Sequence, residues 1–195
     1  MNTRWLSAPT RRWREWLDPF LALVALAVSA ISLWVAIGTE QANRRMVAAA
    51  SWPLLQADTS NLNSTITFSV LNGGVGPAKL KTFELFWNGN AYPGAQALLK
   101  ACCGYRPSQS SEEATLTTGG VSGIVIRAGE THTFLSLPKQ TGNDDVWRKL
   151  DRMRRQVTFR ACYCSVFDEC WIGGLRNLEP RRVDKCPPVP VLYVE

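Results

Sequence analysis

The side chains richest in chemistry are six cysteines, Cys102, Cys103, Cys162, Cys164, Cys170 and Cys186. Thiols support three kinds of work: disulfide bonding, soft-metal ligation and thiolate redox exchange. Cys162 and Cys164 close the alternating run Val157-Thr158-Phe159-Arg160-Ala161-Cys162-Tyr163-Cys164. Two apart on a strand, they point to the same face. Phe167-Asp168-Glu169 reads as a turn into Cys170-Trp171-Ile172, which brings Cys170 within reach of one of them. Cys102, Cys103 and Cys186 are remote, and bridges from them would tie an inserted helix and the C-terminal tail to the sheet. Each bridge stabilises a fold by about 2–4 kcal/mol. A zinc centre is the rival, but the spacing is C-x-C without a C-x₂-C knuckle, and the chain has a single histidine. The chain also lacks the C-x-x-C of thiol oxidoreductases. Structural disulfides are therefore the expectation, with a thiol-redox enzyme built on Cys162, Cys164 and Cys170 as the alternative.

Other chemistry-bearing groups point to no catalytic constellation. His132 sits in a strand-like stretch, and no G-x-S-x-G nucleophile motif accompanies it. Glu112-Glu113 and Asp144-Asp145 are adjacent carboxylates rather than a spaced acid–base pair. Asn72-Gly73-Gly74-Val75-Gly76-Pro77-Ala78 superficially resembles a phosphate loop, but no Lys-Ser/Thr follows at the required spacing. It reads as a tight strand connection whose glycines supply positive φ. Arg148, Arg152 and Arg155 share one face of a predicted helix and, with Lys149 and Arg154, form a basic patch suited to acidic surfaces. The net charge of +6 would ordinarily raise nucleic acid as a partner, but no recognition motif is present. No catalytic residue, metal or cofactor is assigned.

The element that decides where these groups work is the uncharged run Phe20–Gly38, FLALVALAVSAISLWVAIG. A bilayer core about 30 Å thick needs about 20 apolar residues. The Leu, Ile, Val and Phe residues of this run together favour insertion by about 3–6 kcal/mol. Arg4, Arg11, Arg12 and Arg14 precede it, whereas Arg44 and Arg45 follow closely, which favours a cytoplasmic N-terminus. All the cysteines follow the run, which suits an oxidising compartment on the far side. The run exceeds a signal-peptide core and its leader is long, so an uncleaved anchor is preferred to cleavage near Ala36-Ile37-Gly38. A twin-arginine signal fits poorly, and a lipobox cysteine is absent.

The expected order is a cytoplasmic arm at 1–18, a transmembrane helix at 19–38, a helical extension at 39–51 and a β-rich domain at 52–195. In the arm, aromatic residues alternate with arginines as in a membrane interface. Asp18-Pro19 reads as a helix start. Ala25, Ser29, Ser32 and Ala36 form a small-residue stripe where a second helix, such as that of another copy in a homo-oligomer, could approach. Ser51-Trp52-Pro53 ends the extension. Strands are expected at Thr65–Leu71, Leu80–Trp87 and Val157–Cys164. A hairpin is expected where Ile124-Val125-Ile126 and Thr133–Leu137 flank Ala128-Gly129-Glu130. Short helices are expected at Ala95–Cys103 and Asp144–Arg155, the second capped by Asn143 and buried through Val146, Leu150 and Met153. The Pro-rich tail could pair at an edge. The fold class is mainly β: an N-terminal transmembrane helix, then an antiparallel β-sandwich-like domain with one or two short inserted helices.

The Arg-rich start, the single span, Trp52-Pro53, the Asn72–Ala78 turn and the Cys162–Trp171 segment (C-Y-C-S-x-F-x-x-C-W) together resemble a group of bacterial single-span membrane proteins with a cysteine-containing extracytoplasmic β-domain. The resemblance implies an anchored periplasmic domain and transfers no functional residue. The expectation is a non-catalytic protein of the bacterial inner membrane, N-terminus inside, binding a protein or envelope component and no nucleic acid. An accessory subunit or an immunity or exclusion factor would fit. An oligomeric structural subunit is a further alternative.

Overall fold

The computed structural model describes residues 11–106, 116–174 and 179–194. The chain divides into two units that meet between Val47 and Ala48.

The described part of the first unit is one helix, α1 (Arg11–Ala50), which ends in the second. It is long and apolar enough to cross a membrane, and its apolar stretch is exposed throughout. Asp18-Pro19 does not start it: Pro19 lies inside. The good helix formers of 11–17 carry the helix to the N-terminal side of the proline, at the loss of one backbone bond. Ala25, Ser29, Ser32 and Ala36 lie along its exposed surface, and the Ser29 hydroxyl donates back to the Ala25 carbonyl at 2.8 Å.

The second unit is mainly β. It runs β1 (Leu55–Ser60), β2 (Thr65–Asn72), β3 (Ala78–Trp87), β4 (Asn90–Tyr92), α2 (Ala95–Cys103), β5 (Thr117–Thr118), β6 (Val125–Ile126), β7 (Thr131–Pro138), α3 (Asp144–Met153), β8 (Thr158–Cys164), β9 (Cys170–Gly174) and β10 (Arg181–Val183). Two antiparallel sheets form. One has the order β1-β2-β7-β5, and the other β10-β9-β8-β3-β4, with β6 also paired to β3.

Alternation explains most strands. In β2 the buried residues Ile66, Phe68 and Val70 face inward, and the residues between them are half-buried. Where alternation changes phase, a bulge absorbs the extra residue. In β3, Leu80 opposes Tyr163 and Thr82 opposes Cys162, so Lys81 is unpaired and Phe83 and Leu85 return to the core. In β7 a bulge likewise leaves Phe134 between Leu135 and Thr133, and both Phe134 and Leu135 are buried. Asn88-Gly89, both at positive φ, make the two-residue turn between β3 and β4.

The sheets meet through aromatic rings. Phe134 of the first sheet lies 5.2 Å from Phe83 and 5.8 Å from Phe159 of the second, and Phe68 lies 6.0 Å from Phe159. Tyr193 completes the group at 5.5 Å from both Phe83 and Phe134. The tail therefore enters the core rather than adding an edge strand. Its backbone N–H groups at Tyr193 and Val194 donate to Phe83 and Pro93 carbonyls.

Two further expectations are corrected. Ile124–Ile126 and Thr133–Leu137 are not a hairpin: β6 pairs with β3, while β7 pairs with β2 and β5. The Asn143 side chain does not cap α3. It accepts from the Gln140 N–H and donates to the Pro138 carbonyl, both at 2.8 Å, so the buried amide braces the loop before the helix. Leu150 and Met153 are buried as expected, with Val146 and Trp147 packed beside them.

Candidate functional site

The residues singled out by sequence fall into four places. The first is the Asn72–Ala78 turn. Asn72 is fully buried and uses its whole amide: Oδ1 accepts from the Leu54 and Gly74 N–H groups at 3.2 and 3.1 Å. Nδ2 donates to the Gly76 and Ile126 carbonyls at 2.8 and 3.0 Å. The turn is a strand connection, but the reason for its glycines differs from the expectation. Gly73, Gly74 and Gly76 do not occupy positive φ. A Cβ on Gly74 would strike the Trp52 and Leu54 backbone, and one on Gly76 the Ser51 backbone. The Trp52-Pro53 step and the glycine turn are thus one unit, clamped by Gly73 N–H to Leu54 O and Val75 N–H to Trp52 O.

The second is α3. Arg148 pairs with Asp144 at 2.5 Å, and Lys149 with Asp145 at 2.9 Å. That Lys149 contact holds the Asp145 carboxyl below the usual carboxylate range. Arg154 leaves the expected patch altogether. It is buried, bonded to Asp151 at 2.9 Å, and donates to the Thr59 carbonyl at 3.0 Å. Arg152 and Arg155 remain exposed. The basic face is therefore largely neutralised by its own helix. The third is His132, whose Nε2 lies 3.0 Å from the Gly120 carbonyl, joining β7 to the loop after β5. Glu112 and Glu113 lie outside the described residues.

The fourth place gathers chemistry. All six cysteines pair at disulfide distance: Cys102 with Cys103, Cys162 with Cys186, and Cys164 with Cys170. Cys170 does reach β8, because Cys164 and Cys170 are direct partners across the β8–β9 hairpin. Cys186 does tie the tail to the sheet. The inserted helix α2, however, is not tied by sulfur: its two cysteines bond to each other, and its buried Leu98, Leu99 and Ala95 hold it instead.

Because Cys162 and Cys164 share one face, their two bridges lie side by side. The Cys164 and Cys186 sulfurs approach to 3.9 Å. The sulfurs of Cys164, Cys170 and Cys186 all fall within 4.8 Å of one another. In bridges they offer no thiolate to a metal; only the reduced trio would have the ligand set for a soft ion. The cluster borders an open cleft of about 680 Å³ lined also by Lys81, Thr82, Asp168, Asp184, Lys185 and Pro187. The β3 bulge places Lys81 there. The hairpin turn places Asp168, which has φ of 59° and pairs with Lys79 at 2.5 Å. That hydrogen bond holds the Asp168 carboxyl below its ordinary value. Cys164 and Cys170 are buried, whereas Cys186 is half-exposed. Sequence reasoning placed Cys170 near this pair but missed the contact with Cys186 and the bulge lysine. The phase change at Leu80-Lys81-Thr82-Phe83 was the readable signal for the latter.

No protein-family model, curated protein or solved structure matches the chain.

Proposed function

We propose that this chain is a membrane-anchored interaction protein of the bacterial envelope. In this reading α1 crosses the inner membrane with its N-terminus in the cytoplasm. Residues 52–195 fold in the periplasm as a sandwich-like module that binds a protein or envelope component without catalysis, as an accessory subunit or an immunity or exclusion factor. The observation that carries the reading is the pairing of all six cysteines in the unit that follows one exposed apolar helix. Paired cysteines are characteristic of oxidising compartments, and an exposed apolar helix of this length suits a lipid environment. The arginines ahead of the helix favour this direction. The resemblance to single-span proteins with a cysteine-containing outer domain agrees with this topology.

Protease added to intact spheroplasts is expected to digest the 52–195 domain, and a domain cut only after lysis would invert the topology. Crosslinking in native membranes followed by purification is expected to return a reproducible partner or envelope polymer. Its consistent absence would count against a binding role.

A further inference from the structure

Two disulfides rarely need to touch in order to brace a fold, yet here they do. Cys162–Cys186 and Cys164–Cys170 approach to 3.9 Å between the Cys186 and Cys164 sulfurs, at the wall of an open cleft. Three features separate their roles. Cys186 is half-exposed, and Cys162, Cys164 and Cys170 are buried, so Cys186 is the most open residue of the four. Lys81 and Lys185 line the cleft together with Asp168 and Asp184, so its wall is polar and open to a water-soluble thiol. The Cys170 sulfur lies 3.4 Å from the Asp168 carbonyl, which can accept a hydrogen bond once that sulfur becomes a thiol.

We propose that the two bridges form one thiol–disulfide exchange site, entered at Cys186, whose substrate is a dithiol. A thiolate of the dithiol attacks the Cys186 sulfur; a mixed disulfide forms and Cys162 leaves as a thiolate. The donor's second thiolate then attacks its own sulfur in that mixed bond, closing the donor disulfide and releasing Cys186 as a thiolate. Cys186 attacks the neighbouring Cys164 sulfur, the Cys164–Cys186 bond forms, and the Cys164–Cys170 bond breaks with Cys170 leaving. The donor loses two electrons and two protons. The chain gains both, as thiols at Cys162 and Cys170, and retains one bridge among the four cysteines. Thiolate attack through a mixed disulfide is the general route of such exchange, and access decides which sulfur is hit. The exchange as written is stoichiometric, one dithiol oxidised per chain, so it adds to the non-catalytic binding role proposed above and does not depend on it, because the chemistry is tested on purified protein.

The test uses the oxidised full chain in detergent, dithiothreitol as the dithiol, rapid acid quench, maleimide labelling and peptide mapping. Labels on Cys102 and Cys103 are counted separately. Among molecules that keep one bridge in the cluster, Cys164–Cys186 is expected in the majority, with labels on Cys162 and Cys170. Absence of Cys164–Cys186 from one-bridge molecules at every quench time would overturn the proposal. In Cys186→Ser the entry sulfur is gone, and release of Cys170 is expected to slow by about tenfold or more, since access limits attack. An unchanged Cys170 release rate in that variant would also overturn it.

Discussion

Asn72 is the residue on which the exit from the helix depends. Its four hydrogen bonds reach Leu54, Gly74, Gly76 and Ile126, all with backbone groups that water does not replace once buried. Asn72→Ala leaves two donors and two acceptors without partners. It is expected to destabilise the domain by about 3–5 kcal/mol, read by chemical denaturation of tryptophan fluorescence. A loss below about 1 kcal/mol would remove the residue from this role. Tyr163 offers a pH reading. Burial pushes its hydroxyl up to about 12, against the opposing effect of the Leu55 backbone N–H. A raised folded value means that the stability is complete below the unfolded value near 10 and is lost as pH rises through about 12. Absorbance titration should show a tyrosine step near pH 12, and Tyr163→Phe should remove one tyrosine's absorbance change from it.

At the scale of elements, the three bridges do unequal work. Cys162–Cys186 closes 24 residues and holds the tail segment between β10 and Tyr193, whereas Cys102–Cys103 joins neighbours inside the last turn of α2 and closes no loop. Loop-closure entropy scales with the residues enclosed. Replacing Cys162 and Cys186 together with serine is expected to cost about 3 kcal/mol of stability. The Cys102→Ser, Cys103→Ser double variant is expected to leave the thermal midpoint close to wild type. Equal losses in the two variants would mean that the helix bridge braces something beyond its own turn. The bulges act at this scale too. Lys81 and Phe134 are the extra residues of β3 and β7, and each lets its strand re-enter the core in phase while aiming one side chain elsewhere: Lys81 into the sulfur cleft, Phe134 into the aromatic group.

At the scale of the whole molecule, the core is complete without the first unit. Among the described residues, the buried apolar side chains run from Leu55 to Tyr193, and none of them belongs to α1. A fragment beginning at Ala48 is therefore expected to fold as a soluble domain with the near-ultraviolet dichroism and thermal midpoint of the full chain in detergent. A molten or insoluble fragment would show that the helix is part of the fold rather than its tether.

The amino-acid sequence by itself determined the features that depend on neighbours along the chain. These are the long apolar helix, the turn at Ser51-Trp52-Pro53, the alternating strands around Phe68 and Phe159, the hairpin that returns Cys170 toward Cys162 and Cys164, and the buried stripe of α3. Periodicity fixes which face a residue presents, but it does not name the partner of that face. Only the tertiary structure decided that β6 pairs with β3 and not β7, and that Tyr193 enters the aromatic core. Only it decided that Asn143 braces a loop instead of capping, that Arg154 leaves the basic face for Thr59, and that Cys186 arrives beside Cys164. Each of these joins groups from separate elements, and such contacts are chosen by competition among all the surfaces that a folded chain buries at once.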